Sequence, residues 1–349
     1  MIWNPFSLSS ENFLGVDIGT SAVKIVEISR MGNRKKLENY GEMQSSFLYE
    51  KPFRTFEKST LTVTSNDVVR AILAILKEAN MKAAKACFSI PDFSTFFTTF
   101  QLPSMTEAEV PSAVQYEARQ YIPLPLSEVT LDWQIVGKKM DSQKKSGDFN
   151  ILLVAVPNEV IQQYQNIAAA SKLELIALEA EVFSLNRALA AGAESAVALI
   201  DMGARSTTIS IIDKGFLRLS HSSDTAGSDF TNLIVRSLDV DYETAEKNKR
   251  QEGLSPVILP MVDLIINEVR KISQSFFRTD NKEPQKIILA GGSALLPGLA
   301  DYFSKELDKT TEIANPFASL YYPPILEGTL KEMGPSYAIA VGAALRCLE

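Results

Sequence analysis

Residues 15 to 28, GVDIGTSAVKIVEI, end one Val/Ile run on an aspartate and place a glycine two residues later, just before a second such run. A strand that stops on a carboxylate and turns at once into a partner strand restricts the fold. The acid sits at a strand tip, and the turn leaves backbone N–H groups pointing out of the sheet. The device returns in residues 198 to 212, ALIDMGARSTTISII, where Asp201 closes an apolar run, Gly203 follows at plus two and a second β-rich run begins. A strand–turn–strand unit used twice predicts two α/β lobes of like build. The length of 349 residues suits two such lobes.

Between the two units the hydropathy pattern predicts a polar turn over 31–36, a further strand in KLENYGEMQSSF, an amphipathic helix over 66–80 and a buried strand in ACFSIP. The stretch 93–136 is rich in Phe and Pro and reads as strand, helix near 106–120, a rigid IPLPL turn and a second strand. KKMDSQKKSGD, residues 138–148, reads as a solvated hairpin loop. FNILLVAVP reads as a strand, with helices expected over 158–170 and 179–191. After the second unit come helices near 241–252 and 258–278, then strand, glycine turn and helix in KIILAGGSALLPGL, and a closing small-residue helix in SYAIAVGAALRCL.

Composition excludes several classes. No apolar run reaches the roughly 18 residues of a membrane span, and MIWNPFSLSS lacks the basic start and long apolar stretch of a secretory signal. A net charge of −7 argues against nucleic acid as a partner, since phosphate neutralisation calls for clustered Lys and Arg. Cys87 and Cys347 are expected as thiols of a reducing cytoplasm, offering neither a disulfide framework nor a metal cluster. Any membrane attachment is expected to run through another protein.

The two Asp-x-Gly loops suit a phosphate chain. Gly19 and Gly203 permit the turns, and the hydroxyls of Thr20, Ser21, Ser206, Thr207 and Thr208 add donors, with Ala204 and Arg205 completing the second loop. Asp17 and Asp201 suit a hydrated Mg²⁺, an ion that keeps several waters and takes one or two carboxylates beside substrate phosphates. Lys24 offers a point charge. Gly291, Gly292 and Ser293, between a strand and a helix, let the backbone approach a ring or sugar, while Glu246 and Lys249 stand three apart on one helical face, able to flank a ribose. Taken singly, each feature has a plain structural alternative: a turn, a solvated lysine, a helical ion pair. The order of all three loops is what points to a nucleotide. The lone His221, with no His/Cys/acid cluster accompanying it in sequence, reads as filler.

This order of motifs resembles the actin, Hsp70 and hexokinase superfamily of ATPases. That resemblance implies an actin-like ATPase fold of class α/β: two duplicated RNase H-like lobes around a nucleotide cleft. Within it the chain looks most like the PilM family of type IV pilus assembly, a relative of the cell-division protein FtsA. GVDIGTSAVKIVEI matches the first phosphate loop, LIDMGARSTTISII the second, LAGGSALLPGL the adenosine motif and TAEKNK the nucleoside helix. More particular to PilM are LPSMTEAEV, YEARQYIPLPLSEVTLDWQIVG and the NPF of residues 315–317.

The resemblance implies a first lobe over 11–190 (subdomain 1A, with a 1C-type insertion at about 91–150), a second over 191–334 (2A and 2B) and a C-terminal helix, 335–349, returning to the first lobe. It also implies ATP and Mg²⁺ as ligands and a PilN-like bitopic inner-membrane protein as partner, bound through its N-terminal cytoplasmic peptide. The expected protein is a cytoplasmic scaffold under the inner membrane, coupled to the assembly motor ATPases and able to self-associate. Tyr116, Arg119, Tyr121, Ile122, Pro123 and Leu124 are candidates for the peptide groove, an aromatic and proline-rich surface that suits an extended apolar peptide. Glu181, with Glu179 second, falls where relatives place the group that orients the attacking water; Val182 follows, where relatives often have proline. ATP binding with slow hydrolysis at most is the expected activity. Two alternatives remain open at this point: an FtsA-like filament former, against which the ending AVGAALRCLE without an amphipathic tail counts, and a small-molecule kinase of the same fold.

Overall fold

The computed structural model describes residues 11–32, 34–45, 52–57, 60–139 and 148–349. Most of the hairpin loop expected over 138–148 lies outside them. The chain opens with three antiparallel strands, β1 (Asn12–Ile18), β2 (Ala22–Met31) and β3 (Arg34–Gln44), followed by a small hairpin, β4 (Arg54–Glu57) and β5 (Thr60–Val63). Helix α1 (Ser65–Glu78) buries Val68, Ala71, Ile72 and Ile75, the face that helical periodicity predicts, and leads into β6 (Lys85–Ile90). The Phe- and Pro-rich stretch forms β7 (Phe96–Leu102), α2 (Val110–Tyr121) and β8 (Val129–Lys139), which with β9 (Asp148–Pro157) make an antiparallel sheet in the order β7-β9-β8. Then come α3 (Asn158–Ala170), β10 (Glu174–Ala180) and α4 (Glu181–Leu189).

The second half comprises β11 (Val197–Met202), β12 (Thr207–Asp213), β13 (Phe216–Ser223), α5 (Gly227–Leu238), α6 (Tyr242–Glu252) and α7 (Leu259–Asp280). It closes with β14 (Lys286–Ala290), α8 (Leu299–Leu307), β15 (Thr310–Ile313) and α9 (Glu327–Arg346).

The two large sheets run β3-β2-β1-β6-β10 and β13-β12-β11-β14-β15, one order used twice. In each, the first strand is central, the next two meander to one side, and two parallel crossover strands lie on the other. The first sheet packs Leu14, Val16 and Phe88 against Ile72 of α1 and Tyr164 of α3. The second packs Ile200 and Ile209 against Phe276 of α7 and Phe303 of α8. Helices α4 and α9 lie between the sheets. Val182 and Leu185 of α4 join Leu199, Ile212 and Ile288, while Ala340, Val341 and Ala344 of α9 cover Val26 and Ile28.

Small residues set this contact. A Cβ on Gly342 would overlap the Ser184 carbonyl, and one on Gly15 the backbone at Ala340 and Ala344. Arg187 of α4 fastens the crossing by donating to the Gly342 carbonyl at 3.2 Å.

Several local expectations need correction. The helix expected over 179–191 begins at Glu181, because residues 174–180 form β10, an edge strand held by parallel pairing to β6; LELIALEA carries helical periodicity as well, and pairing with β6 overrides it. Helix α5 was not anticipated; its start is a Gly/Ser turn closed by the Asp229 carboxylate on the Ala226 N–H at 3.0 Å. The last helix begins at Glu327 and carries Pro335 inside it. The largest correction concerns the cysteines: Cys87 in β6 and Cys347 just past α9 are joined in a disulfide, with Cα atoms 6.1 Å apart. Their separation of 260 residues explains the miss, since only the return of α9 onto the sheet brings them together.

Two outcomes follow from this packing. Gly342→Ala lowers the unfolding free energy by about 2–3 kcal/mol in urea titration, whereas Gly328→Ala, in the same helix with open space around it, does not lower it. Native protein purified without reductant shows no titratable thiol, and Cys347→Ser loses roughly 2–5 kcal/mol of stability.

Candidate functional site

The two Asp-x-Gly loops are built alike. Gly19 N–H donates to the Ala22 carbonyl at 2.8 Å, and Gly203 N–H to the Ser206 carbonyl at 3.0 Å. Asp17 stands opposite Lys24 in the β1/β2 register and Asp201 opposite Thr208 in β11/β12, so Lys24 and Thr208 hold equivalent places. The third loop closes against the second: Gly291 has φ +84°, and a Cβ there would meet Asp201 Oδ1 at 2.7 Å. Ser293, buried, donates its N–H to the Met202 carbonyl at 3.2 Å, while Gly292 is exposed.

Of the hydroxyls read as phosphate donors, two are already committed. Thr207 Oγ1 donates to the Thr225 carbonyl at 2.7 Å, and Thr208 shares a 3.0 Å hydrogen bond with Ser222. Thr20 is half-buried; Ser21 and Arg205 are exposed. Ala204 serves through its carbonyl, which accepts the Ser228 N–H at 2.9 Å and so ties the start of α5 to the loop. Glu246 and Lys249 form an ion pair at 2.6 Å. Lys249 is buried rather than a surface partner and also donates to the Gly227 carbonyl at 3.0 Å and Thr231 Oγ1 at 2.9 Å. Gly227, Ser228 and Thr231 were not singled out in the sequence; the AGSD turn before an apolar helix was the available signal.

Four carboxylates converge at the floor of the cleft. Asp17 accepts from Ser89 Oγ at 3.2 Å. Asp92 accepts the Val182 N–H at 3.1 Å, capping α4 from outside. Burial, and after it the Glu181 carboxylate, pushes Asp17 from 3.8 up to about 6 and Asp201 up to about 7, and holds Asp92 well above the carboxylate range. Glu181 is buried, not a surface glutamate, and pairs with Arg54 at 2.7 Å. Glu179 lies in β10 and is held by Arg187 at 2.5 Å. Arg54, Ser89 and Asp92 escaped the sequence reading because nothing local marks them.

Negative charge thus outweighs positive here, since Lys24 and Arg54 are the cations acting on both loop aspartates. A divalent cation carried in with a phosphate chain fits that imbalance. Among the described residues no group of three acid, His or Cys side chains stands close enough to hold a metal ion by itself.

The family model of the type IV pilus assembly protein PilM matches residues 15–348. The chain belongs to the PilM family. A solved PilM-PilN type IV pilus biogenesis complex is similar at TM-score 0.80 and 26% identity, covering 96% of this chain and 98% of that one. The ethanolamine utilization protein EutJ of Carboxydothermus hydrogenoformans shares the fold at TM-score 0.57 and 16% identity over 99% of this chain and 92% of its own. EutJ of Escherichia coli (strain K12) is 27% identical over 129 residues, 36% of this chain, and the match spans 44% of that relative. The PilM fold is accordingly that of the actin-like ATPases, and no helix among the described residues is long and apolar enough to cross a membrane.

In this PilM-family chain a cavity of about 310 Å³ opens between the three-stranded sheet and β13. Phe93, Phe97, Tyr121 and Ile122 line one side and His221 the other. Of the six residues expected at a peptide groove, Tyr121 and Ile122 border it; Tyr116, Arg119, Pro123 and Leu124 do not. Tyr116 is exposed on α2, and Leu124 packs on the core beneath that helix. His221 is half-exposed, 3.9 Å from Glu268, a neighbour that the sequence did not reveal.

The raised aspartates fix a pH dependence. Their folded-state values exceed the 3.8 of a free carboxyl, so between about pH 4 and pH 7 the folded chain binds more protons than the unfolded one, and the site's contribution to stability falls as pH rises. Asp201→Asn, neutral throughout, raises the thermal midpoint more at pH 8 than at pH 5 in metal-free buffer; equal shifts at both would contradict the assignment.

Proposed function

We propose that this chain is an ATP-binding scaffold of type IV pilus assembly, working at the cytoplasmic face of the inner membrane. It carries Mg·ATP between its two lobes and binds the N-terminal cytoplasmic peptide of a PilN-like membrane protein. It passes that attachment to the assembly motor. The lobes are 11–190 and 191–334, with 335–349 returning to the first lobe and the inserted subdomain over about 91–150. The observation that carries the reading is the full-length likeness to a PilM solved with PilN, supported by two phosphate loops of one construction facing a shared acidic floor.

In this reading the N–H groups of Thr20, Ser21, Ala204, Arg205 and Ser206 cradle phosphates, with Gly19 and Gly203 closing the turns and Lys24 adding charge. Asp17 and Asp201 hold Mg²⁺ through water, while Gly291 to Ser293 and the Glu246–Lys249 pair border the nucleoside. Bound Mg²⁺ supplies charge neutralisation for the phosphates. An extended apolar peptide suits the cavity beside Phe97 and Tyr121, where Tyr121 stacks on Phe100 with centroids 5.3 Å apart and stays 45% exposed. Because that cavity touches both the inserted subdomain and β13, its occupant contacts both lobes.

Calorimetry tests both halves. Wild type binds Mg·ATP, and Asp17→Ala, still folded, weakens binding at least about ten-fold. A synthetic peptide from the N-terminus of the membrane partner binds wild type, and Phe97→Ala with Tyr121→Ala weakens it without affecting ATP. A folded wild type that binds no ATP would reduce the loops to inherited architecture.

A further inference from the structure

Arg54 is the first residue of β4 and is 6% exposed. Its strand is pinned to the first phosphate loop: Phe53 N–H donates to the Thr20 carbonyl at 3.0 Å, and Thr64 returns its N–H and hydroxyl to the Phe53 carbonyl, each at 2.9 Å. From there the guanidinium passes over the Phe93 ring, 5.4 Å from its centre, and places Nη2 at 2.7 Å from Glu181 Oε1. Arg54 Nε and Nη1, the Tyr164 hydroxyl beside the guanidinium, Glu181 Oε1 and Asp92 Oδ2 are all buried without a hydrogen bond of ordinary geometry among the described residues. A purely structural arginine that far from water would be expected to use its donors, since each one left idle costs desolvation without return.

The consequence falls on Glu181. A group that directs water at the γ-phosphate must reach that water at about 2.6–3.2 Å and keep enough basicity to take part of its proton. A carboxylate oxygen already engaged at 2.7 Å by a buried guanidinium is not free to take up that water. We propose that Arg54 is a positioning residue that holds Glu181 out of action, making the cleft one that retains ATP rather than consumes it. The proposal rests on the nucleotide-binding reading above. The restrained step is hydrolysis: water oxygen bonds to the γ-phosphorus, the bond to the bridging oxygen breaks with its electron pair leaving on ADP, and the water's proton departs through the Glu181 carboxylate to solvent. Because Arg54 is tied through Phe53 to Thr20, the occupant of the first loop can shift the latch.

The test is steady-state phosphate release by the full chain with Mg·ATP. Arg54→Met keeps length and bulk while removing the charge. It raises kcat by about ten-fold with KM changed by less than about two-fold, and adding Glu181→Gln abolishes the gain. Arg54→Lys keeps a cation without the planar fork and gives a smaller rise; should Arg54→Met fail to fold, this variant decides. A merely structural arginine predicts lower stability and a poorer KM instead. Unchanged or reduced kcat in a folded, ATP-binding variant overturns the latch, as does a gain that survives Glu181→Gln. A wild type that binds no ATP overturns the nucleotide reading together with it.

Discussion

Helices α4 and α9 meet where no side chain separates them, with Gly342 set directly against the Ser184 carbonyl. Much of the architecture depends on that approach. It lets one pair of helices serve both sheets, α9 covering β1 and β2 while α4 covers β11 and β12. It also holds the first residue of α4, Glu181, at the floor between the two Asp-x-Gly tips. A bulkier residue at 342 would push the helices apart and carry Glu181 away from Arg54, so the charge arrangement of the cleft is a result of backbone packing as much as of the acids themselves.

Within the cleft the acids impose the chemistry. Asp17, Asp92, Glu181 and Asp201 come from separate parts of the chain, and the three aspartates are made costlier to charge by burial and then by the Glu181 carboxylate. Acids buried together in this way carry a cost that a nearby positive charge offsets. Arg54 offsets part of that cost from within the chain, which ties the readiness of the floor to the position of the first loop. Asp92 adds a route outward, for its carboxylate caps α4 while its residue also lines the cavity beside Phe97.

The sequence revealed what local rules govern. Both Asp-x-Gly loops and the Gly291 turn were readable because alternating apolar runs, a tip acid and a glycine are contiguous signals, and the duplicated sheet order follows from them. Glu181 was reached through resemblance alone, and its partner Arg54 was invisible: 127 residues separate them, and RTFE reads as an unremarkable edge strand. β10 was missed because its pattern fits a helix until β6 is beside it, and α5 because its start is all Gly, Ser and Asp. The disulfide was misread for the opposite reason, since two lone cysteines far apart in sequence carry no spacing to interpret.

That bond also determines how the molecule would bear tension. Cys347 is tied covalently to the middle of the first sheet, and Glu349 pairs with Arg187 at 2.8 Å and Arg346 at 2.9 Å. A pull on the last residues is therefore delivered to β6 through one covalent link, and α9 is spared from peeling turn by turn. The load then passes to the strands paired with β6 on both sides, so under oxidising conditions Cys347 is a mechanical anchor point on the first sheet.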